Sequence, residues 1–147
     1  MAAESAAPVP GRAIIRASWA SNVVFAVTAI PVAAGVDALD GVAVAVALLL
    51  FLVSLGVWTY AFVIAVQRSA QGDDVVVGSL FLMQGPAPNR VRWHLFGSFA
   101  VSLAIAAGTA VGDPFGVLVP MLPLGFVGLW GARQGVFPAR RDIAGRR

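Results

Sequence analysis

VAVAVALLLFLVSLGVWTYAFVIAV, residues 42 to 66, runs without a single charged side chain. A helix rising 1.5 Å per residue needs about 20 residues to cross a hydrocarbon core of about 30 Å, and 17 to 25 are tolerated. This stretch is therefore read as a transmembrane helix. Three more runs pass the same length criterion: about Trp19 to Val36, Trp93 to about Val111, and Phe115 to Ala132, the last with least margin.

Composition agrees. Of the 147 residues, 59% are hydrophobic and only 12% are charged. Mean hydropathy is +0.87. A soluble core of this size could not hide so much apolar surface, whereas helices facing acyl chains lose nothing by exposing it. The expectation is one all-α domain, an integral membrane bundle of four transmembrane helices. Residues 1 to 18 are read as an N-terminal cytoplasmic segment, 19 to 132 as the four-span domain, and 133 to 147 as a basic cytoplasmic tail.

The connections group the spans into two hairpins. Asp37-Ala38-Leu39-Asp40-Gly41 joins the first pair and Gly112-Asp113-Pro114 the second, with Gly and Pro supplying the turns. Between the hairpins lies a longer loop, Gln67 to Arg92. Within it, Val75 to Met83 is too short to cross a bilayer. It is read as a short helix at the interface or against the bundle, capped by Asp73 and stopped by Gly85-Pro86. A strand is disfavoured, since unpaired backbone in lipid leaves polar groups unsatisfied.

Arginine placement sets the orientation. Arg12 and Arg16 precede span one; Arg68, Arg90 and Arg92 occupy the middle loop; Arg133, Arg140, Arg141, Arg146 and Arg147 follow span four. In a four-span arrangement all of these fall on one side, and the tight turns opposite hold only Asp37, Asp40 and Asp113. Positive charge resists translocation, so both ends are expected in the cytoplasm. A competing reading makes Arg12 to Ala34 a cleavable secretory signal, but its apolar stretch is long for one, and cleavage would leave three spans. The net charge of +3 and pI near 11.1 suit cationic membrane flanks. Basic residues grouped beside apolar runs, without interleaved aromatics, argue against nucleic acid as a partner. Arginine to the exclusion of lysine, in a chain rich in Ala, Val, Gly and Pro, resembles the codon bias of a high-GC bacterial genome.

Few residues suggest chemistry. With no cysteine there is neither a disulfide nor a thiolate metal site. The span centres hold no ionisable group, the usual mark of a transport pathway. Their polar residues are Ser21, Asn22, Thr28, Ser54, Thr59, Ser98, Ser102 and Thr109, and such groups commonly bond to their own helix or a neighbour. Asp37-Ala38-Leu39-Asp40-Gly41 resembles the opening of the CDP-alcohol phosphotransferase signature, whose paired aspartates hold a divalent metal. The resemblance ends at Gly41, because no Arg or further Asp follows among Val42 to Ala47. His94 stands alone beside Trp93 at the edge of span three, without ligand companions. Trp19, Trp58, Tyr60 and Trp130 suit the headgroup region, Trp58 and Tyr60 lying deep enough to pack. An intramembrane hydrolase would need Ser98 or Ser102 with His94, and no carboxylate is placed to orient the histidine. No catalytic residue, metal site or cofactor is expected.

Small residues give the clearest pattern. Ala100, Ala104, Gly108 and Gly112 recur every four residues in span three, which aligns them on one face and favours close helix approach. Gly125 and Gly128 add to this in span four, and the second hairpin is expected to pack through these residues. Pro120 and Pro123 are expected to kink or unwind span four, each removing a backbone donor.

The stretch from Pro114-Phe115-Gly116-Val117-Leu118-Val119-Pro120-Met121-Leu122-Pro123-Leu124-Gly125 through Gly128-Leu129-Trp130-Gly131-Ala132-Arg133 to Phe137-Pro138 resembles the C-terminal part of small multi-pass membrane proteins of actinobacteria. Those proteins have no assigned activity. The resemblance implies a plasma-membrane protein of bacterial origin and nothing further about its role. The functional expectation is a non-enzymatic accessory or scaffold protein in the lipid bilayer, packing as a homo-oligomer or with a larger membrane protein partner. The alternative is a small oligomeric transporter or channel, resembling small multidrug exporters in span number but lacking their membrane-embedded glutamate.

Overall fold

The computed structural model describes residues 11–82 and 87–139. Five α-helices follow one another: α1 (Arg12–Ala33), α2 (Asp40–Ala70), α3 (Val77–Leu80), α4 (Asn89–Thr109) and α5 (Met121–Gln134), with 3-10 turns at Asp37–Leu39 and Pro114–Leu118. Four segments are long and apolar enough to span a membrane: Arg12–Ala33, Asp37–Ala70, Asn89–Thr109 and Pro114–Gln134. Among the described residues the only β pairing is one isolated antiparallel bridge, Asp73 with Ala139.

At their arginine-bearing ends the helices outrun the apolar runs, because charge ends a hydrophobic run but not a helix. α1 starts at Arg12 rather than Trp19, immediately after Gly11 in the left-handed region (φ 73°). At its other end Gly35 is left-handed (φ 91°). There the Gly35 N–H donates to the Val32 carbonyl at 2.9 Å and the Val36 N–H to that of Pro31 at 3.0 Å. This Schellman motif makes Gly35 the turn glycine. Gly41, expected in the turn, instead lies in the first turn of α2. The same motif ends α2: Gly72 is left-handed (φ 99°), and the Asp73 N–H donates to the Arg68 carbonyl at 3.1 Å.

Span four is broken. Asp113 caps the 3-10 turn Pro114–Leu118, its side chain accepting from the Gly116 N–H. Regular α-helix resumes at Met121, with Pro120 in the joint. Pro123 falls in the first turn of α5, where its missing N–H would have had no intrahelical acceptor.

α5 is enclosed by the others: over an apolar stretch of 18 residues, 67% are buried in Pro114–Gln134 against 17% in Asp37–Ala70. α2 turns most of its large apolar side chains outward and its small or polar ones inward. α2 buries Ala43, Ala47, Ser54, Ala61 and Ala65 while exposing Leu49, Leu52, Val53 and Phe62. This inverts the pattern of a soluble domain and suits a lipid surround.

Two apolar clusters fill the interior, one built around Ile14, Ala61, Val91, Leu95 and Trp130, the other around Phe25, Ala29, Ala47, Ala106 and Val119. They order the bundle along its axis: the start of α1 meets the end of α2, the start of α4 and the end of α5. Arg12, Arg16, Arg68, Arg90, Arg92 and Arg133 therefore lie at one end of the bundle. Asp37, Asp40 and Asp113 belong to the other.

Candidate functional site

Between the two apolar clusters runs a buried polar seam joining α1 to α4. Ser18, Asn22, Ser98 and Ser102 are all at most 3% exposed. Ser18 Oγ and Ser98 Oγ are 2.7 Å apart and share a hydrogen bond. Asn22 Nδ2 donates to the Ser98 carbonyl at 2.7 Å and to Ser98 Oγ at 3.0 Å. α1 and α4 run parallel in this register, so one turn along, Asn22 stands level with Ser102. Ser54 of α2 is also fully buried. Asn22 Oδ1, Ser54 Oγ and Ser102 Oγ have no hydrogen-bond partner.

The seam fixes how α4 is rotated, and this corrects the expected packing face. α4 turns Val91, Leu95, Ser98, Ser102, Ala106 and Thr109 inward. Ala100, Ala104 and Gly108, expected to pack against span four, are exposed, and a Cβ built on Gly108 meets nothing within 4 Å. A face carrying interhelical hydrogen bonds outcompetes one carrying only small side chains, since burying the alanines would take Ser98 away from Ser18 and Asn22. Gly112 approaches α1, where an added Cβ would lie 3.2 Å from Ala33 Cα. Gly125 and Gly128 are buried, but against Trp58 and Phe81 rather than α4.

Trp58 packs as its depth suggested. Its indole Nε1 donates to the Met121 carbonyl at 3.0 Å and its ring sits 5.6 Å from that of Phe81. A Cβ on Gly125 would come within 3.0 Å of the indole.

At the arginine end the middle loop is tied to the chain beyond α5. Arg68 Nε donates to Asp73 Oδ2 at 2.7 Å, and Nη1 to the carbonyls of Ala132 at 3.1 Å and Gly135 at 2.7 Å. Its guanidinium lies 4.5 Å from the centre of the Phe137 ring. The Asp74 N–H adds a bond to the Pro138 carbonyl at 2.8 Å. Asp73 thus pairs with Arg68 and does not cap a helix; α3 begins after Val76 with no side-chain cap. The single turn of α3 leans on α5 where Gly131 leaves room for the Leu80 carbonyl. The stop signal Gly85-Pro86 and the arginines from Arg140 onward lie outside the described residues.

At the opposite end Asp113, expected in a tight turn, is 1% exposed. Oδ1 accepts from the Gly116 N–H at 3.2 Å, whereas Oδ2 has no partner. Phe25 and Gly116 close over it. His94 and Asp37 and Asp40 are exposed, and among the described residues no three His, Cys, Asp or Glu side chains converge as metal ligands. Ser98 is engaged by Ser18 and Asn22.

Sequence reasoning missed Ser18, which falls just before the apolar run that defined span one. The available signal was Ser18-x-x-x-Asn22 facing Ser98-x-x-x-Ser102, two polar pairs at matching four-residue spacing. Thr28, Thr59 and Thr109 bond to carbonyls of their own helices, as such hydroxyls commonly do. No protein family, curated protein or solved structure matches this chain.

Proposed function

We propose that this chain is a bacterial plasma-membrane protein with both ends in the cytoplasm, serving as a non-enzymatic accessory or scaffold subunit that packs against itself or a larger membrane complex. The observation that carries the role is the outward row Ala100, Ala104 and Gly108 on α4, which no part of the described chain covers. In a bilayer small residues let a second helix approach closely, where dispersion and weak hydrogen bonds add up. The six arginines at one end of the bundle support the orientation, by their reluctance to be translocated.

The chain has no cysteine, so a single introduced thiol reports cleanly. Ala104→Cys in native membranes is expected to give a crosslinked product, and Leu52→Cys on the lipid face of α2 none. A strictly monomeric protein, without partner or crosslink, would end the scaffold reading. For the orientation, Asp37→Cys should react with an impermeant reagent on intact cells, and Arg133→Cys only after permeabilisation.

The transporter or channel alternative draws on Asp113, a buried carboxylate with one unpartnered oxygen. Proteoliposomes that carry solute or ions, with flux lost in Asp113→Asn, would favour it over the scaffold role.

A further inference from the structure

The hydroxyl of Ser102, like that of Ser54, is out of keeping with the threonine hydroxyls of these helices. Thr59 and Thr109 each return a hydrogen bond to the carbonyl four residues back, and for Ser102 that carbonyl belongs to Ser98. The Ser98 carbonyl, however, already accepts the Asn22 amide at 2.7 Å, in addition to the N–H of its own helix. A carbonyl oxygen has two lone pairs, so both are in use and Ser102 is left without its customary acceptor. Asn22 causes this and is itself left incomplete. Its Nδ2 is committed to the Ser98 carbonyl and Oγ, which fixes the amide orientation and turns Oδ1 away from both, with nothing to accept.

The two unpartnered atoms complement one another. Oδ1 of Asn22 accepts only, whereas Oγ of Ser102 can donate or accept. Both belong to residues held to the same Ser98 carbonyl, and both residues are at most 3% exposed. They are not hydrogen-bonded to each other, and the parallel register of α1 and α4 sets the two residues level, so a molecule joining them must donate to Asn22 Oδ1 and exchange a hydrogen bond with Ser102 Oγ. Buried polar groups in this position are ordinarily completed by internal water, which makes about three hydrogen bonds. We propose that the α1–α4 seam is a hydration site in the middle of the bundle, where one ordered water donates to Asn22 Oδ1 and accepts from Ser102 Oγ. The site lies between the two apolar clusters, so its water exchanges with bulk far more slowly than water at the arginine end.

The test is solid-state NMR of the uniformly labelled, unmodified protein in lipid bilayers, with magnetisation transferred from water protons. A water cross-peak to the Asn22 side-chain amide or the Ser102 hydroxyl is expected, of the strength seen at exposed His94 but with slower build-up. Phe25 and Val119, buried in the neighbouring apolar cluster, should show none. In Ser102→Ala, a small change on a helix face, the cross-peak at Asn22 should be lost or strongly weakened while the Ser18 and Ser98 shifts remain. An Asn22 amide as dry as Phe25 in the unmodified protein, or a cross-peak indifferent to Ser102→Ala, overturns the site.

Discussion

Arg68, in the last turn of α2, donates from Nη1 to the Gly135 carbonyl at 2.7 Å, across 67 residues of chain. The same guanidinium holds Asp73 and the Ala132 carbonyl, so one side chain ties the end of α2, the middle loop and the end of α5. Orphan carbonyls at a helix C-terminus are favourable partners for a cation. Arg68→Ala is expected to destabilise the bundle by about 2–3 kcal/mol, the order for losing hydrogen bonds to a charged group. Arg68→Lys should recover less than half, because an ammonium cannot reproduce the planar fork. Asp73→Asn, which spares the carbonyl contacts of Arg68 and alters only a partly exposed ion pair, should cost about 1 kcal/mol or less. Denaturation by SDS in mixed micelles, followed by circular dichroism, measures all three.

Glycines in this fold divide by what their missing side chain makes possible. At Gly131 a methyl group would run into the Leu80 carbonyl, so Gly131→Ala must push α3 off α5. The overpacking should outweigh the helical gain and destabilise by about 1–3 kcal/mol. Gly56, inside α2, has nothing within 4 Å of an added Cβ, and Gly56→Ala should stabilise by up to about 1 kcal/mol. Opposite signs for two identical substitutions, read by the same SDS titration, are the expected result. Equal signs would mean that α3 does not rest on α5 as described.

Span lengths and the side on which the arginines gather were legible in the sequence because each follows from a one-dimensional quantity, the reach of an apolar run and the parity of crossings. Helix rotation was not. α4 offers two rows at similar spacing, Ala100-Ala104-Gly108 and Ser98-Ser102, and nothing within span three says which turns inward. The decision comes from Asn22 and Ser18, which lie 76 and 80 residues from Ser98 along the chain. Likewise Gly112-Asp113-Pro114 reads as a tight turn from its own chemistry, and nothing in that stretch says that Asp113 is buried beside Gly116 and Phe25 of α1.

If the seam fixes the rotation of α4, then Asn22→Ala should do more than remove two hydrogen bonds. The direct loss is about 1–2 kcal/mol, since hydrogen bonds between membrane helices are individually modest. The Ser98 carbonyl is freed at the same time, so Ser102 can return to its own-helix bond. A double-mutant cycle of Asn22→Ala with Ser102→Ala should therefore be non-additive, Ser102→Ala costing a different amount with and without Asn22. Strict additivity would show that the two side chains do not share the Ser98 carbonyl.

Asp113 provides the sharpest separation of cap from charge. Its Oδ1 accepts the Gly116 N–H and so starts the 3-10 turn that leads into α5. Its Oδ2, buried and unpartnered, contributes nothing to that cap. An asparagine caps as well as an aspartate and presents no charge to an apolar surround, so Asp113→Asn is expected to leave stability unchanged or raise it. Asp113→Ala removes the cap acceptor and should cost about 1 kcal/mol, a typical capping loss. Thermal unfolding of the three proteins in one detergent at one pH gives the comparison. An Asn variant less stable than the Ala variant would mean that the carboxylate charge itself has a partner, and the capping account would then fail.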